Sequence, residues 1–365
     1  MRHSNPFTPT FGKVPAIMAG RNDVLDAMRE AFEGSSGNPN LSSIIVGPRG
    51  SGKTALLACI ADEAAESGWI TARVTALPGM LDDVIERTTE AASHLVAPES
   101  TRKVKGIGIP QILELEFENS TNRGGNWRTR MNRLLDALEP YQTGLLITVD
   151  EVRTDLDEMV QLAATYQHFV QEDRKVALVM AGLPHQVFAL MNDTSVSFLR
   201  RSRLHRLGRI GDADIESAMR KTILDAEGGI DEDALAACVE ASDGFPYMMQ
   251  LVGYWSWDSA REGHLALEHA RRGIRIAHQE MRAGVYDATY RELSKGDLRF
   301  LAAMLPDDGE SRLADISSRM GVKSNYATKY KSRLLDRGVI GDRGGGSLGF
   351  DLPGFKDYLK ERAEI

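Results

Sequence analysis

Apolar residues gather in five short runs, and the spacing between runs decides what they are. Leu41 to Val46 reads as a short buried strand, and the positions after Thr54 repeat apolar residues at helical spacing. "WITARVTA" from Trp69 alternates, Gly144 to Val149 is continuously apolar, and "KVALVMAGL" from Lys175 and "LHRLGRI" from Leu204 follow. Five strands separated by helical stretches predict an α/β fold with a five-stranded parallel sheet. From about Gly208 to Tyr290 the period is helical throughout. "DADIESAMRKTILDAEGG" opens with acids and closes at Gly228-Gly229, and "DEDALAACVEASDG" repeats that grammar. Met248, Met249, Leu251, Trp255 and Trp257 fit a helical core better than a ligand box. Beyond "RELSKGDLRF" the texture changes again. A helix over Asp297–Met304, a second in "SRLADISSRM", a turn at Gly321 and a third helix capped by Ser324 and running to about Asp336 are expected. Tyr326, Tyr330 and Leu334, recurring every four residues, give that third helix an inward face. "VIGDRGGGSLGFDLP" then reads as two short strands around a glycine-rich tip, and alternation from Ile112 to Phe117 predicts a β-hairpin near 102–118. The expected division is 1–207, 208–290 and 291–365.

Composition leaves this picture intact and narrows it. A chain of 365 residues exceeds what one core serves, and 42% hydrophobic with 26% charged residues describes an ordinary globular protein. Nothing approaches the roughly 18 apolar residues of a membrane span, and the N-terminus, with two prolines and no apolar run, is not a signal peptide. Cys59 and Cys238 lie in helical apolar stretches and read as buried thiols of a cytoplasmic protein. The eight histidines lack metal-ligand spacing, so a metal site of protein ligands alone is not expected. Charge is unevenly spread. From Arg312 to Arg343 eight basic residues face three acidic ones, and against −8 overall this excess leaves −13 for the rest of the chain. A second local excess, seven basic against three acidic residues, lies between Arg102 and Arg133, where a solvated decoration is the favoured reading over a DNA contact.

The candidate chemistry sits between the first strand and the helix after it. Gly47-Pro48-Arg49-Gly50-Ser51-Gly52-Lys53-Thr54 matches G-x-x-x-x-G-K-[ST] with strand before and helix after. Glycines let backbone N–H groups converge on phosphate oxygens, and the helix N-terminus adds its positive dipole end. Lys53 would reach the β- and γ-phosphates and the Thr54 hydroxyl would ligate Mg²⁺. About one hundred residues on, the apolar strand ending in Asp150 and Glu151 supplies a carboxylate for the Mg²⁺ side and a base for the attacking water. A protein that only binds nucleotide has no need of the second acid, so ATP hydrolysis is expected.

With these motifs the chain resembles the AAA+ ATPases, and among them bacterial members close to origin-recognition and STAND-type ATPases. "VPAIMAGRNDVLDAM" is similar to the family's N-terminal segment near adenine, with Gly20 and Arg21 at its Gly-Arg. "GPRGSGKT" and "LLITVDEV" resemble its Walker motifs, "SFLRRSRLHRLGRI" its arginine-finger region and "SDGFPYMMQLVGYW" its lid helix. The resemblance places Arg201 at the finger position, where it would enter a neighbouring copy's site in a homo-oligomer. Two departures stand out. Met180-Ala181-Gly182 replaces the usual polar sensor 1, and Tyr247 stands where a sensor-2 arginine often follows Gly-x-Pro. Both imply a slow ATPase acting as a switch.

The tail resembles a winged helix-turn-helix. Its concentrated positive charge is the footprint of a duplex DNA contact. Asn325, Thr328, Lys329 and Lys331 on the third helix, and Arg343 at the wing tip, are the candidate contacts. Two functions are therefore expected to compete. One is an ATPase coupling nucleotide state to DNA or nucleoprotein assembly. The other is a STAND-like switch whose winged helix docks a protein partner. A small-molecule kinase would have no use for the tail.

Overall fold

The computed structural model describes residues 4–10, 12–93, 126–260 and 263–363. The hairpin expected near 102–118 lies outside these residues.

Elements are numbered in chain order. Helix α1 (Asn22–Glu33) precedes strand β1 (Ser42–Val46), then α2 (Lys53–Glu66), β2 (Ile70–Thr75), α3 (Met80–Ser93) and α4 (Trp127–Leu138) follow. Next come β3 (Leu145–Asp150), α5 (Asp157–Gln171), β4 (Val176–Gly182), α6 (Pro184–Asn192) and β5 (Arg203–Arg206). The five strands form one parallel sheet in the order β2-β3-β4-β1-β5. Side chains alternate across it, as strand geometry demands. Leu145, Ile147 and Val149 of β3, with Leu178 and Met180 of β4, join one buried cluster with α3 to α6. Leu146, Ala177, Val179 and Ala181 join the opposite cluster with α1 and α2. Because both faces are covered, β4 reads as an unbroken apolar run in the sequence and β3 as one broken only by Thr148 before Asp150. This is the AAA+ α/β fold.

Past the sheet the chain is mainly helical: α7 (Asp212–Asp225), α8 (Glu232–Ser242), α9 (Pro246–Ser259) and α10 (Leu267–Met281). Two short strands, β6 (Gly229–Ile230) and β7 (His264–Leu265), pair in parallel between them. A π-helical segment, Arg282–Tyr286, joins α10 to α11 (Asp287–Glu292). π-Turns inside helices mark local strain and often function.

The C-terminal unit holds α12 (Lys295–Met304), β8 (Glu310–Arg312), α13 (Leu313–Met320) and α14 (Ser324–Asp336). Strands β9 (Ile340–Gly344) and β10 (Ser347–Phe350) and helix α15 (Phe355–Ala363) complete it. The small sheet runs β8-β10-β9, antiparallel throughout. Helix α12 is fixed by a capping box. The Asp297 backbone N–H donates to Ser294 Oγ, Ser294 N–H donates to Asp297 Oδ2, and buried Asp297 also takes the Arg333 guanidinium. One buried cluster runs from Phe7 and Ile215 through Leu251 and Phe300 to Leu359, so lid-region and C-terminal helices share apolar packing.

Three local expectations change. The residue before α14 is Lys323, and no side chain caps this helix, so Ser324 is its first residue and not its cap. Tyr326 is 53% exposed; the inward residues are Ala327 and Leu334. Arg343 does not project from the hairpin tip, which is Gly344 to Gly346; its guanidinium folds back 2.6 Å from Asp351 Oδ1. Cys238 is buried and Cys59 half-buried, and burial raises both thiols to about 11.

Candidate functional site

The loop from Gly47 to Gly52 hangs between β1 and α2, at the C-terminal end of the sheet where open α/β folds bind ligands. Its geometry needs glycine at position 50. The φ there is +75°, and an added Cβ would collide with the ring of Phe245 from the lid region. The Ser51 hydroxyl donates to Pro48 O at 2.8 Å, tightening the turn. Lys53 donates to Gly47 O at 2.9 Å and Pro48 O at 2.7 Å. Burial lowers the Lys53 ammonium to about 8; Arg49 adds to the fall while Asp150 and Glu151 oppose it.

Strand β3 brings the acids to the same place, although β4 separates it from β1 in the sheet. Thr54 Oγ1 donates to Asp150 Oδ2 at 2.6 Å. Glu151 follows with φ +55°, its N–H donating to Asp150 Oδ1 at 2.8 Å, and Val152 N–H then bonds Ala181 O of β4. A left-handed φ at a non-glycine residue is costly and is found at sites that need a side chain aimed out of the regular path.

These groups line a cavity of about 490 Å³. Arg49 to Thr54, Asp150 and Glu151 form one end, and Arg21 lines it from the side. Arg21 donates to Gly208 O at 2.9 Å, and burial lowers its pKa against the pull of Asp214. Gly20 packs behind the cavity, against Ile210 and Asp214, and Gly47 and Pro48 face the loop's other flank. The remaining predicted residues of this site therefore come together. Arg201 does not line the cavity; it ends the 3₁₀ segment Thr194–Arg201, exposed, beside the edge strand β5.

Sequence reasoning missed the closing wall. Residues Asn5 to Thr10, with Gly12 and Lys13, run from α9 to the cavity as a strap. Asn5 Nδ2 donates to Tyr254 O and the Thr8 N–H to Gln250 Oε1, both at 2.9 Å. Phe7, 2% exposed, seats on Gly253, where any Cβ would meet its ring. Thr8, Lys13, Tyr247 and Gln250 all line the cavity. The sequence signal for this was slight: one apolar residue between prolines, and a glycine within an apolar helix.

The loop's other flank faces the C-terminal unit across a cleft of about 1020 Å³. A side chain added at Gly338 would come within 3.5 Å of the stem of Arg49 and of Leu183, so this turn lies close to both. His185 Nε2 lies 3.1 Å from Asp336 Oδ1, off line for a hydrogen bond, and burial lowers the imidazole's pKa. Arg49 thus lines the nucleotide-sized cavity and lies near the C-terminal unit.

On α14, Asn325, Thr328 and Lys329 are exposed. Lys331 is half-buried and paired with Asp342 at 2.7 Å. Five of the eight basic residues between Arg312 and Arg343 are held by carboxylates: Arg319, Lys331, Arg333, Arg337 and Arg343.

Sheet order, phosphate loop and paired acids define a P-loop ATPase. Residues 18–180 match a family model described as the AAA ATPase domain, and residues 283–359 one described as a domain of unknown function, DUF8462. No curated protein matches the sequence significantly. Among solved structures, the Walker-type ATPase PABY2304 of Pyrococcus abyssi is similar over 94% of this chain and 96% of its own, with TM-score 0.65 and 13% identity. The ORC2 protein of Aeropyrum pernix, solved in ADPNP–ADP complexes, is similar over 98% of both chains, with TM-score 0.60 and 12% identity. At these identities the likeness is one of fold. Among the described residues no helix is long and apolar enough to cross a membrane.

Proposed function

We propose that the chain is a slow ATP-hydrolysing switch of the cytoplasm. Its nucleotide state sets whether a C-terminal winged helix-turn-helix engages duplex DNA or a nucleoprotein assembly. The observation that carries this reading is the position of Arg49, which lines the cavity and lies close to the turn at Gly338, where an added Cβ would come within 3.5 Å of its stem. A change at the phosphates has a direct mechanical route to the C-terminal unit.

The residues fit Mg²⁺-ATP. Mg²⁺ keeps several waters and takes one or two protein oxygens beside the phosphates. The Thr54 hydroxyl and Asp150 carboxylate, 2.6 Å apart, are such a pair. Among the described residues no cluster of three His, Cys, Asp or Glu could bind a metal unaided, as that arrangement requires none. Bound there, the ion would neutralise charge on the transferring phosphoryl group. Lys53 leaves the Gly47 and Pro48 carbonyls to meet the β- and γ-phosphates, and the loop N–H groups cradle them. Glu151 orients the attacking water. Tyr247 in the lid region and apolar Met180 and Ala181 at the end of β4 offer no further cation or amide to the γ-phosphate, which is why turnover is slow. Arg201, exposed and outside its own cavity, acts in a neighbouring copy.

A second reading has an observation of its own. With five of eight tail cations already paired, the C-terminal unit presents less free charge than its composition suggests. This favours a STAND-like switch docking a protein partner. The deciding experiment measures duplex DNA binding by the full-length Glu151→Gln protein with and without ATP. ATP-dependent binding that weakens in Asn325→Ala or Lys329→Ala upholds the DNA reading. Binding indifferent to both variants and to ATP gives the protein-partner reading the lead.

A further inference from the structure

Helix α10 presents a second basic surface, far along the chain from the C-terminal candidates. Its buried side is Ala270, Gly273, Ala277 and Met281, packed on α8 and α9. The opposite side carries Arg271, Arg272 and Arg275, with His278 and Gln279 beside them, all exposed. Among the described residues none of the three arginines has a carboxylate within ion-pair distance. Nearby surface arginines such as Arg220, Arg282 and Arg362 are each paired. Of the acids of α10, Glu268 stands one turn before Arg271 and Arg272 on the same face but lies 3.8 Å from His269, and Glu280 accepts from Trp255 Nε1 at 2.6 Å.

This arrangement costs the helix stability. Arg271 with Arg275 is a like-charge pair at i, i+4, and Arg272 with Arg275 one at i, i+3; both repel. Among the described residues no ion pair offsets that repulsion. We infer that the Arg271–Arg272–Arg275 face of α10 is a contact for the phosphate backbone of duplex DNA. Two features choose nucleic acid over an acidic protein. Guanidinium forks match phosphate oxygens bidentately. And a protein interface needs apolar or aromatic anchors at its centre, whereas no large apolar side chain of α10 is exposed. Arg271 and Arg275 stand one turn apart, about 6 Å along the axis, so both reach one strand's run of phosphates. The contact carries no sequence information. It would hold the lid region to DNA independently of α14.

The test uses full-length protein, a mixed-sequence duplex and anisotropy titrations at several salt concentrations. Arg271→Gln/Arg272→Gln/Arg275→Gln is compared with wild type and with Lys323→Gln/Lys329→Gln. The triple variant should lower the slope of log K against log salt by up to about 2.7, equally on unrelated duplexes. Its melting temperature should equal or exceed that of wild type, because repulsion is removed. An unchanged slope, or a clearly lowered melting temperature, overturns the inference. So does a wild type that binds polyglutamate through these arginines but no duplex. If the triple variant alone changes the slope, the lid contact stands and the winged-helix reading falls; if the lysine pair alone does, the reverse holds.

Discussion

Lys53 is charged for only part of the pH range in which surface lysines are. Its ammonium is held at about 8 by burial and by Arg49. Triphosphate would raise that value, so binding takes up a proton when the free site is partly deprotonated. Affinity for ATP should therefore fall as pH rises through about 8. Calorimetry in two buffers of different ionisation enthalpy should show proton uptake at that pH and little at pH 6.5. Equal heats in both buffers would exclude the mechanism. Asp297 works in the other direction. Burial raises its pKa, but Arg333 and Ser294 outweigh burial and hold the carboxyl below its ordinary value. A depressed carboxyl contributes stability above its unfolded pKa, near 3.9, and loses it as pH falls through the native value. Asp297→Ala removes a cap and strands Arg333, so a loss of about 2 kcal/mol or more is expected at pH 7. Urea unfolding should show that gap narrowing at pH 3.

At the scale of elements, the strap makes the sharpest prediction. Phe7→Ala empties a closed seat on Gly253, and such truncations cost about 3–5 kcal/mol when the site cannot collapse. Unfolding monitored from the tryptophans of α9 should shift accordingly, and ATP affinity should fall with it. The strap also shows what a sequence conceals. Strands β1, β3 and β4 were legible because both sheet faces are covered and most of their residues are apolar. The phosphate loop was legible because its residue types are dictated by local backbone geometry. The strap is held by partners some 240 residues away, and no local period encodes that. Helix α14 misled for a different reason. Residues four apart advance about 400°, so Tyr326 lies roughly 80° around from Leu334, whereas Ala327, seven residues back, is within about 20°. The recurring aromatic was a drifting stripe. Arg343 and Lys331 were visible as charges, but not the aspartates that hold them, because pairing across a hairpin depends on register.

For the whole molecule, the position of Arg201 outside its own cavity makes assembly the test of its role. Turnover per chain should rise with protein concentration, and Arg201→Ala should flatten that rise while leaving ATP binding intact. A fully effective finger is worth roughly 10³–10⁵ in rate. Without polar sensors the gain here should be smaller. Concentration-independent turnover, equal in both proteins, would remove the finger.

The strap has one more consequence, for traffic through the site. Since it spans from α9 to the phosphate loop, the cavity is walled by the chain's own beginning on one side and by the lid region on the other. Sideways exit of a nucleotide should require Phe7 to lift from Gly253 or α9 to swing away from Gly50. Departure is then a conformational event with its own barrier. ADP should dwell in the site long after phosphate has gone, and the protein would spend most of its working cycle loaded with product. Shaving the first ten residues should turn that slow clock into a fast one.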